Sequence, residues 1–264
     1  MCLLVLGWRV HPRYRLVLAA NRDEYHERPS DPLSKWPPPA DLLAGRDRRA
    51  GGTWLGLDRS RRFGVVTNFR ELQRPRRSAP SRGRLIPDYL SGPAGPQEYL
   101  AQLETDAPGY SGFNLVIGDL EQLWYASNRM DRFAQVLQPG VHGLSNEFLD
   151  SPWPKLKRVR QGFETWLARQ VDAPDDSRAI VTDLLALLAD GTPAPEGSPA
   201  TGLSPEWERT LSSPFVTHPT YGTRCSTILL IEPSGAVVMF ERRFDPSGRA
   251  SGDSEFLLNP GKWP

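Results

Sequence analysis

The stretch that decides the fold is Met1-Cys2-Leu3-Leu4-Val5-Leu6-Gly7-Trp8-Arg9-Val10, a turn at His11-Pro12-Arg13, and residues 14–20 running into Asn21-Arg22-Asp23-Glu24. Two short runs rich in Leu and Val, parted by a proline turn, predict a hairpin of largely buried strands. A thiol lies beside the chain start, and a dense polar cluster closes the second strand. In extended chain Asn21 and Asp23 share one face, and Arg22 and Glu24 the other.

Working outward, Gly51-Gly52-Thr53-Trp54-Leu55-Gly56-Leu57 reads as a strand entered through a glycine pair, and residues 63–68 as its return. Residues 113–117 and 123–127 flank a Gly118-Asp119 turn, and 133–137 and 141–144 continue that sheet. Residues 223–231 and 236–244 form a last hairpin around Glu232-Pro233-Ser234-Gly235, with 255–258 as an edge strand. Helices are expected over 85–90, 96–105, 153–171, from Asp176-Ser177 onward and over 206–211. The clearest is 153–171, where Leu156, Val159, Phe163, Trp166 and Leu167 keep the helical period. Residues 29–39 read as a proline-rich loop around Trp36, and 191–205 as an exposed connection. Hairpin-linked strands are antiparallel. Two sheets with helices on their outer faces bury them, a layered α+β arrangement forming one domain over residues 1–264.

The chain has 264 residues and a net charge of +1. Its two cysteines, Cys2 and Cys225, argue against a disulfide scaffold and a cysteine-rich zinc site. No apolar run reaches bilayer-spanning length, so a cytoplasmic chain without a transmembrane segment is expected. The four histidines lack ligand spacing, and no P-loop, zinc motif or Ser-His-Asp set is present, so no metal or cofactor is expected. Twelve arginines against three acids give residues 46–84 a net charge of +9. Nucleic acid is not expected as partner, because no aromatic-basic or helix-turn-helix pattern accompanies the patch. A small anion such as a carboxylate, a phosphate or a coenzyme A ester suits it, as does a solvated arginine-rich surface.

Cys2 has two readings. It begins an apolar run and fits a buried small hydrophobe. If Met1 is removed, its α-amino group titrates near ~7.7–8.0 and its thiol near ~8.5, so the amine can take the thiol's proton. Asp23 could then orient that amine, or simply pair locally with Arg22. Asn68 and Asn146 end strands, where a neutral amide can donate to a developing oxyanion or serve turn chemistry. Arg224 opens a β-branched strand and could bind a carboxylate or favour a thiolate. Cys225, alternating with it, reads as core.

Together Met1-Cys2, Asn21-Arg22-Asp23-Glu24-Tyr25-His26-Glu27-Arg28-Pro29, Gly51-Gly52-Thr53-Trp54-Leu55-Gly56, Thr67-Asn68-Phe69-Arg70, Ser81-Arg82-Gly83, Gly143-Leu144-Ser145-Asn146 and Gly222-Thr223-Arg224 resemble the NRDE family, the transport and Golgi organisation proteins. That family is similar to the N-terminal-nucleophile hydrolases of the penicillin V acylase and bile salt hydrolase group. The resemblance implies a four-layer αββα sandwich and hydrolysis of a linear or cyclic amide. It makes Cys2 the nucleophile and base, Asp23 the holder of the amine, Asn68 and Asn146 the oxyanion hole, and Arg224 the support of the nucleophile. Asn21, Arg22 and Arg70 would meet the substrate. Two positions depart from the acylases: Ala20 stands where they carry arginine, and Glu147 follows Asn146 where proline is common. The rival implied by the same family is a carrier on the same fold for haem, acyl coenzyme A or another hydrophobic anion.

Overall fold

The computed structural model describes residues 2–71, 79–171, 173–174, 176–194 and 202–264. Contacts divide the chain into two units, each interrupted in sequence. The first comprises Met1–Glu27, Pro139–Ser145 and Leu149–Leu258. The second comprises Arg28–Gln138, Asn146–Phe148 and Asn259–Pro264.

The first unit is a six-stranded antiparallel sheet. Its strands are β1 (Cys2–Trp8), β2 (Leu16–Tyr25), β10 (Gly140–Leu144), β11 (Tyr221–Ile231), β12 (Val237–Phe244) and β13 (Ala250–Leu258). Their order is β10-β1-β2-β11-β12-β13. Leu3, Val5, Val17, Ala19, Ile228 and Leu230 send side chains to one face, against helices α3 (Pro154–Ala168) and α4 (Ser177–Leu188). The helices meet that face through Leu156, Val159, Phe163 and Leu184. Burying a side chain the size of Phe163 contributes roughly 2–3 kcal/mol. The other face is buried too, as Leu4, Leu6, Leu18 and Leu229 show. This is why β1 and β2 read as continuous apolar runs rather than as alternation. The short helix α5 (Pro205–Leu211) completes the unit, capped by the Ser204 hydroxyl, which accepts from Trp207 N–H.

The second unit is a seven-stranded sheet in chain order: β3 (Ser30–Lys35), β4 (Leu43–Asp47), β5 (Leu55–Leu57), β6 (Phe63–Asn68), β7 (Phe113–Gly118), β8 (Leu123–Ser127) and β9 (Ala134–Val136). Helices α1 (Leu85–Ser91) and α2 (Pro96–Asp106) cover it through Leu85, Ile86, Tyr89, Leu90, Leu100 and Leu103. Two antiparallel sheets, each carrying helices, make the chain α+β, as its sequence predicts.

Four local expectations change. Residues 29–39 are not one loop: β3 runs through them, and Trp36 is buried, its indole N–H donating to Ala44 C=O at 3.0 Å. Strand β4 carries no predicted counterpart. Of the stretch 51–57 only Leu55–Leu57 is strand. Strand β10 does not extend the sheet of β7–β9; it pairs with β1, Leu4 opposite Leu144.

Candidate functional site

Asn21-Arg22-Asp23-Glu24 does not close β2. It lies within the strand, which runs on to Tyr25: Asn21 and Arg22 pair with both β1 and β11, Asp23 and Glu24 pair with β11, and Asn21, Arg22 and Asp23 are only 1%, 5% and 2% exposed. The register sets Cys2 and Cys225 on either side of Arg22. Neighbouring strands lie about 4.8 Å apart. Two cysteines separated by a whole strand are therefore beyond disulfide reach, which needs Cα atoms within about 7 Å. Cys225 is buried, as expected of a core residue.

Strand β11 supplies the polar partners through an irregularity. Thr223 pairs with Asp23, but Cys225 pairs with Arg22, leaving Arg224 as the extra residue of a bulge. In a regular strand Thr223 and Ser226, three apart, would face opposite sides. The bulge turns both hydroxyls to the side of Asp23 and Asn21. Thr223 Oγ1 donates to Asp23 Oδ1 at 2.7 Å, and Ser226 Oγ donates to Asn21 Oδ1 at 2.6 Å. Tyr221 Oη donates to the Asp23 carbonyl at 2.9 Å.

Asn21, Asp23 and Arg224 each have a place in this unit. Asn21 spends both amide N–H bonds on the carbonyls of Leu188 and Pro214, each at 3.0 Å, latching β2 to the end of α4 and to the chain before β11. Asp23 has its acidity lowered: burial pushes its pKa up, opposed by the amino-terminal charge, Lys155, the Thr223 hydroxyl and Arg22. Arg224 donates to the carbonyls of Tyr25 and His26, at 2.9 and 3.2 Å, and so ties off β2. Burial, with Arg22 nearby, lowers the pKa of Arg224, while Cys225 and Glu24 oppose the shift.

Sequence reasoning passed over Lys155. It is 1% exposed in the first turn of α3, where a cation opposes the helix dipole. Its ammonium donates to the Leu211 carbonyl at 2.9 Å, and its charge acts on Asp23. A buried lysine between apolar helical positions was the available signal, since lysine is almost never fully buried without a partner.

Asn68, Arg70 and Asn146 come together in the second unit. Asn146 is 1% exposed; its side-chain amide donates to the Asn68 carbonyl at 2.9 Å, and its own carbonyl accepts from Arg70 N–H at 2.7 Å. Asn114, also missed from sequence, braces the same segment by donating to the Glu147 carbonyl at 2.8 Å. Tyr125 Oη in turn donates to Asn114 Oδ1 at 2.8 Å.

The arginine-rich segment is largely occupied by the unit's own groups. Arg62 pairs with Asp58 and donates to the carbonyls of Leu90 and Ala94. Arg61 donates to the carbonyls of Asn259 and Lys262, and Arg82 to that of Gly112. Arg48, Arg59 and Arg84 pair with Asp31, Asp41 and Asp88. Arg74, Arg76 and Arg77 lie outside the described residues. Among the described residues no cluster of three metal-ligating side chains occurs, and no helix is long and apolar enough to cross a membrane.

These features define a class: an α+β protein whose Asn-Arg-Asp-Glu strand is held inside a sheet beside a strand that starts at a cysteine. The chain belongs to the Transport and Golgi organisation 2 family, which matches residues 1–246. It is 34% identical over 280 residues to the mouse Transport and Golgi organization 2 homolog, covering 98% of this chain and 99% of that one. The Bos taurus homolog is 33% identical over 277 residues, with the same coverage. The Drosophila melanogaster Transport and Golgi organization protein 2 is 26% identical over 271 residues, covering 94% of this chain and 95% of that one.

Proposed function

We propose that the chain is a cysteine N-terminal-nucleophile hydrolase acting on a linear or cyclic amide. The observation that carries this is the burial of Asp23 on the strand next to the one headed by Cys2. With Met1 removed, the Cys2 amine takes the proton of its own thiol. The sulfur attacks the amide carbon, and the C–N bond breaks as that proton passes to the leaving nitrogen. Water then cleaves the thioester, releasing the acid and restoring the thiol. In this scheme Asp23 holds the ammonium, Asn68 and Asn146 donate to the oxyanion, and Arg224 supports the nucleophile. Arg22 and Arg70 are the cations offered to a substrate carboxylate or similar anion.

The proposal treats residues 1–264 as one functional domain in the cytoplasm. The family match, which runs through both units, supports the first of these points. The carrier alternative, for haem, acyl coenzyme A or another hydrophobic anion, draws on the arginine-rich segment. Most of its described guanidinium groups already serve internal partners, so no specific observation favours it.

Intact mass of the full chain before and after iodoacetamide tests the proposal. The expected result is loss of Met1 and one adduct mapped to Cys2, absent in Cys2→Ala. A retained Met1 with an inert Cys2 refutes it.

A further inference from the structure

The groups that act on the Asp23 side chain come from three elements: Arg22 on its own strand, Thr223 on β11 and Lys155 on α3. Only one of them is a hydroxyl, and its direction is fixed. Thr223 Oγ1 accepts from Val216 N–H at 2.9 Å. Its single proton is therefore left to point at Asp23 Oδ1, 2.7 Å away. The Thr223 backbone is clamped as well, its N–H donating to the Val216 carbonyl at 2.9 Å. A donor that cannot turn away favours the ionised carboxylate and holds it in one rotamer. Thr223 itself is 1% exposed, so water does not substitute for this contact. The bulge at Arg224 exists in the same strand and sets Thr223 on Asp23's side.

We infer that Thr223 is a positioning residue, a hydroxyl aimed by the Val216 main chain that favours the ionised Asp23 carboxylate against its burial and holds it for the amine of the nucleophile. The inference rests on the N-terminal-nucleophile proposal. Its consequence runs from hydroxyl to carboxylate to ammonium to thiol: an ordered carboxylate favours the ammonium, and the ammonium favours the thiolate. Without the hydroxyl, Asp23 takes a proton more readily, the amine loses its counter-charge, and Cys2 ionises at higher pH.

The test is the pH dependence of iodoacetamide labelling at Cys2, read by peptide mass on full-length, folded protein. Thr223→Val removes the hydroxyl at nearly constant volume, and Thr223→Ser keeps it. Thr223→Ala replaces the valine variant if that one does not fold. Expected are a shift of the labelling profile to higher pH by about half to one unit, a loss of about three- to tenfold in rate at pH 7, and recovery of the wild-type profile in Thr223→Ser. A structural role alone leaves the profile of the folded variant in place. If wild-type Cys2 labels readily and the hydroxyl-free variant gives a superimposable profile, the inference is overturned and the hydrolase proposal stands. If wild-type Cys2 does not label at any pH, the hydrolase proposal fails, and the inference fails with it.

Discussion

Gly52→Ala gives a sharp test of the packing in the second unit. A Cβ at Gly52 would lie 2.1 Å from the Gly83 carbonyl oxygen and 2.3 Å from its carbonyl carbon. Both are backbone atoms, so no side chain can swing aside. Ordinary contact begins near 3.4 Å, so the two segments must part by more than an ångström. That displacement breaks the bond from Thr53 N–H to the Gly83 carbonyl, now 2.9 Å. Overpacking costs about 1–3 kcal/mol and the lost hydrogen bond about 0.5–1.5. The expected loss is thus roughly 2–4 kcal/mol, a fall in urea midpoint on the order of 1–2 M. Equilibrium unfolding followed by tryptophan fluorescence reads it, since Trp54 is two residues away. Gly51→Ala is the matched control. Gly51 has open space around it but a φ of +74°, so that substitution costs only the roughly 1–2 kcal/mol of left-handed backbone. A Gly52→Ala protein within 0.5 kcal/mol of wild type, or no less stable than Gly51→Ala, would refute the close approach of the two segments.

His11 is buried, and its Nδ1 accepts from the N–H groups of Arg13 and Tyr14, so burial and the Arg13 charge push its pKa down to about 4. The unfolded chain takes that proton first; stability is therefore complete above pH 6.5 and drains away as pH falls from 6.5 toward 4, by on the order of 3 kcal/mol. NMR titration of the His11 ring should give a midpoint near 4, and a midpoint near 6.5 would contradict this account. Asp176→Ala removes the cap that accepts from the N–H groups of Arg178 and Ala179, at 2.9 and 3.1 Å, and should cost about 1 kcal/mol in urea unfolding, with Asp176→Asn close to wild type.

What could be read from sequence follows what is periodic or local. Helix α3 shows itself through Leu156, Val159, Phe163 and Trp166 because one face packs on the sheet and the other meets solvent. The cap of α4 is visible in Asp176-Ser177 for the same local reason. The Asn-Arg-Asp-Glu run misleads because four polar residues resemble a strand-end turn, whereas here β11 supplies their partners from about 200 residues away. The bulge at Arg224 defeats alternation outright, since two hydroxyls three residues apart come to share a face. Residues 29–39 mislead in the opposite way: prolines suggest a loop, yet the sheet's outer strand tolerates proline because its N–H side needs no partner. Among the candidate residues, the types of Asp23, Asn68 and Asn146 draw attention in the sequence. Their roles in the packing do not, because Lys155, Thr223 and Asn114 are joined to them only by the fold.

Strand β2 is central to the first sheet, and its second neighbour, β11, comes from the far end of the chain. On a ribosome the β1–β2 hairpin is complete when residue 25 is made, but Tyr25 cannot meet Tyr221 until residue 221 has been made. At about 5–20 residues per second that interval is roughly 10–40 s. Throughout it β2 presents an unpaired edge, rich in Leu, Val and Ala, with Asn21 and Asp23 cut off from the hydroxyls that will satisfy them. Such an edge is a template for pairing with the wrong strand. Translation speed and holdase capacity should therefore govern the yield of folded chain more than the final stability does, and a transcript truncated before β11 should yield aggregate rather than a smaller folded protein.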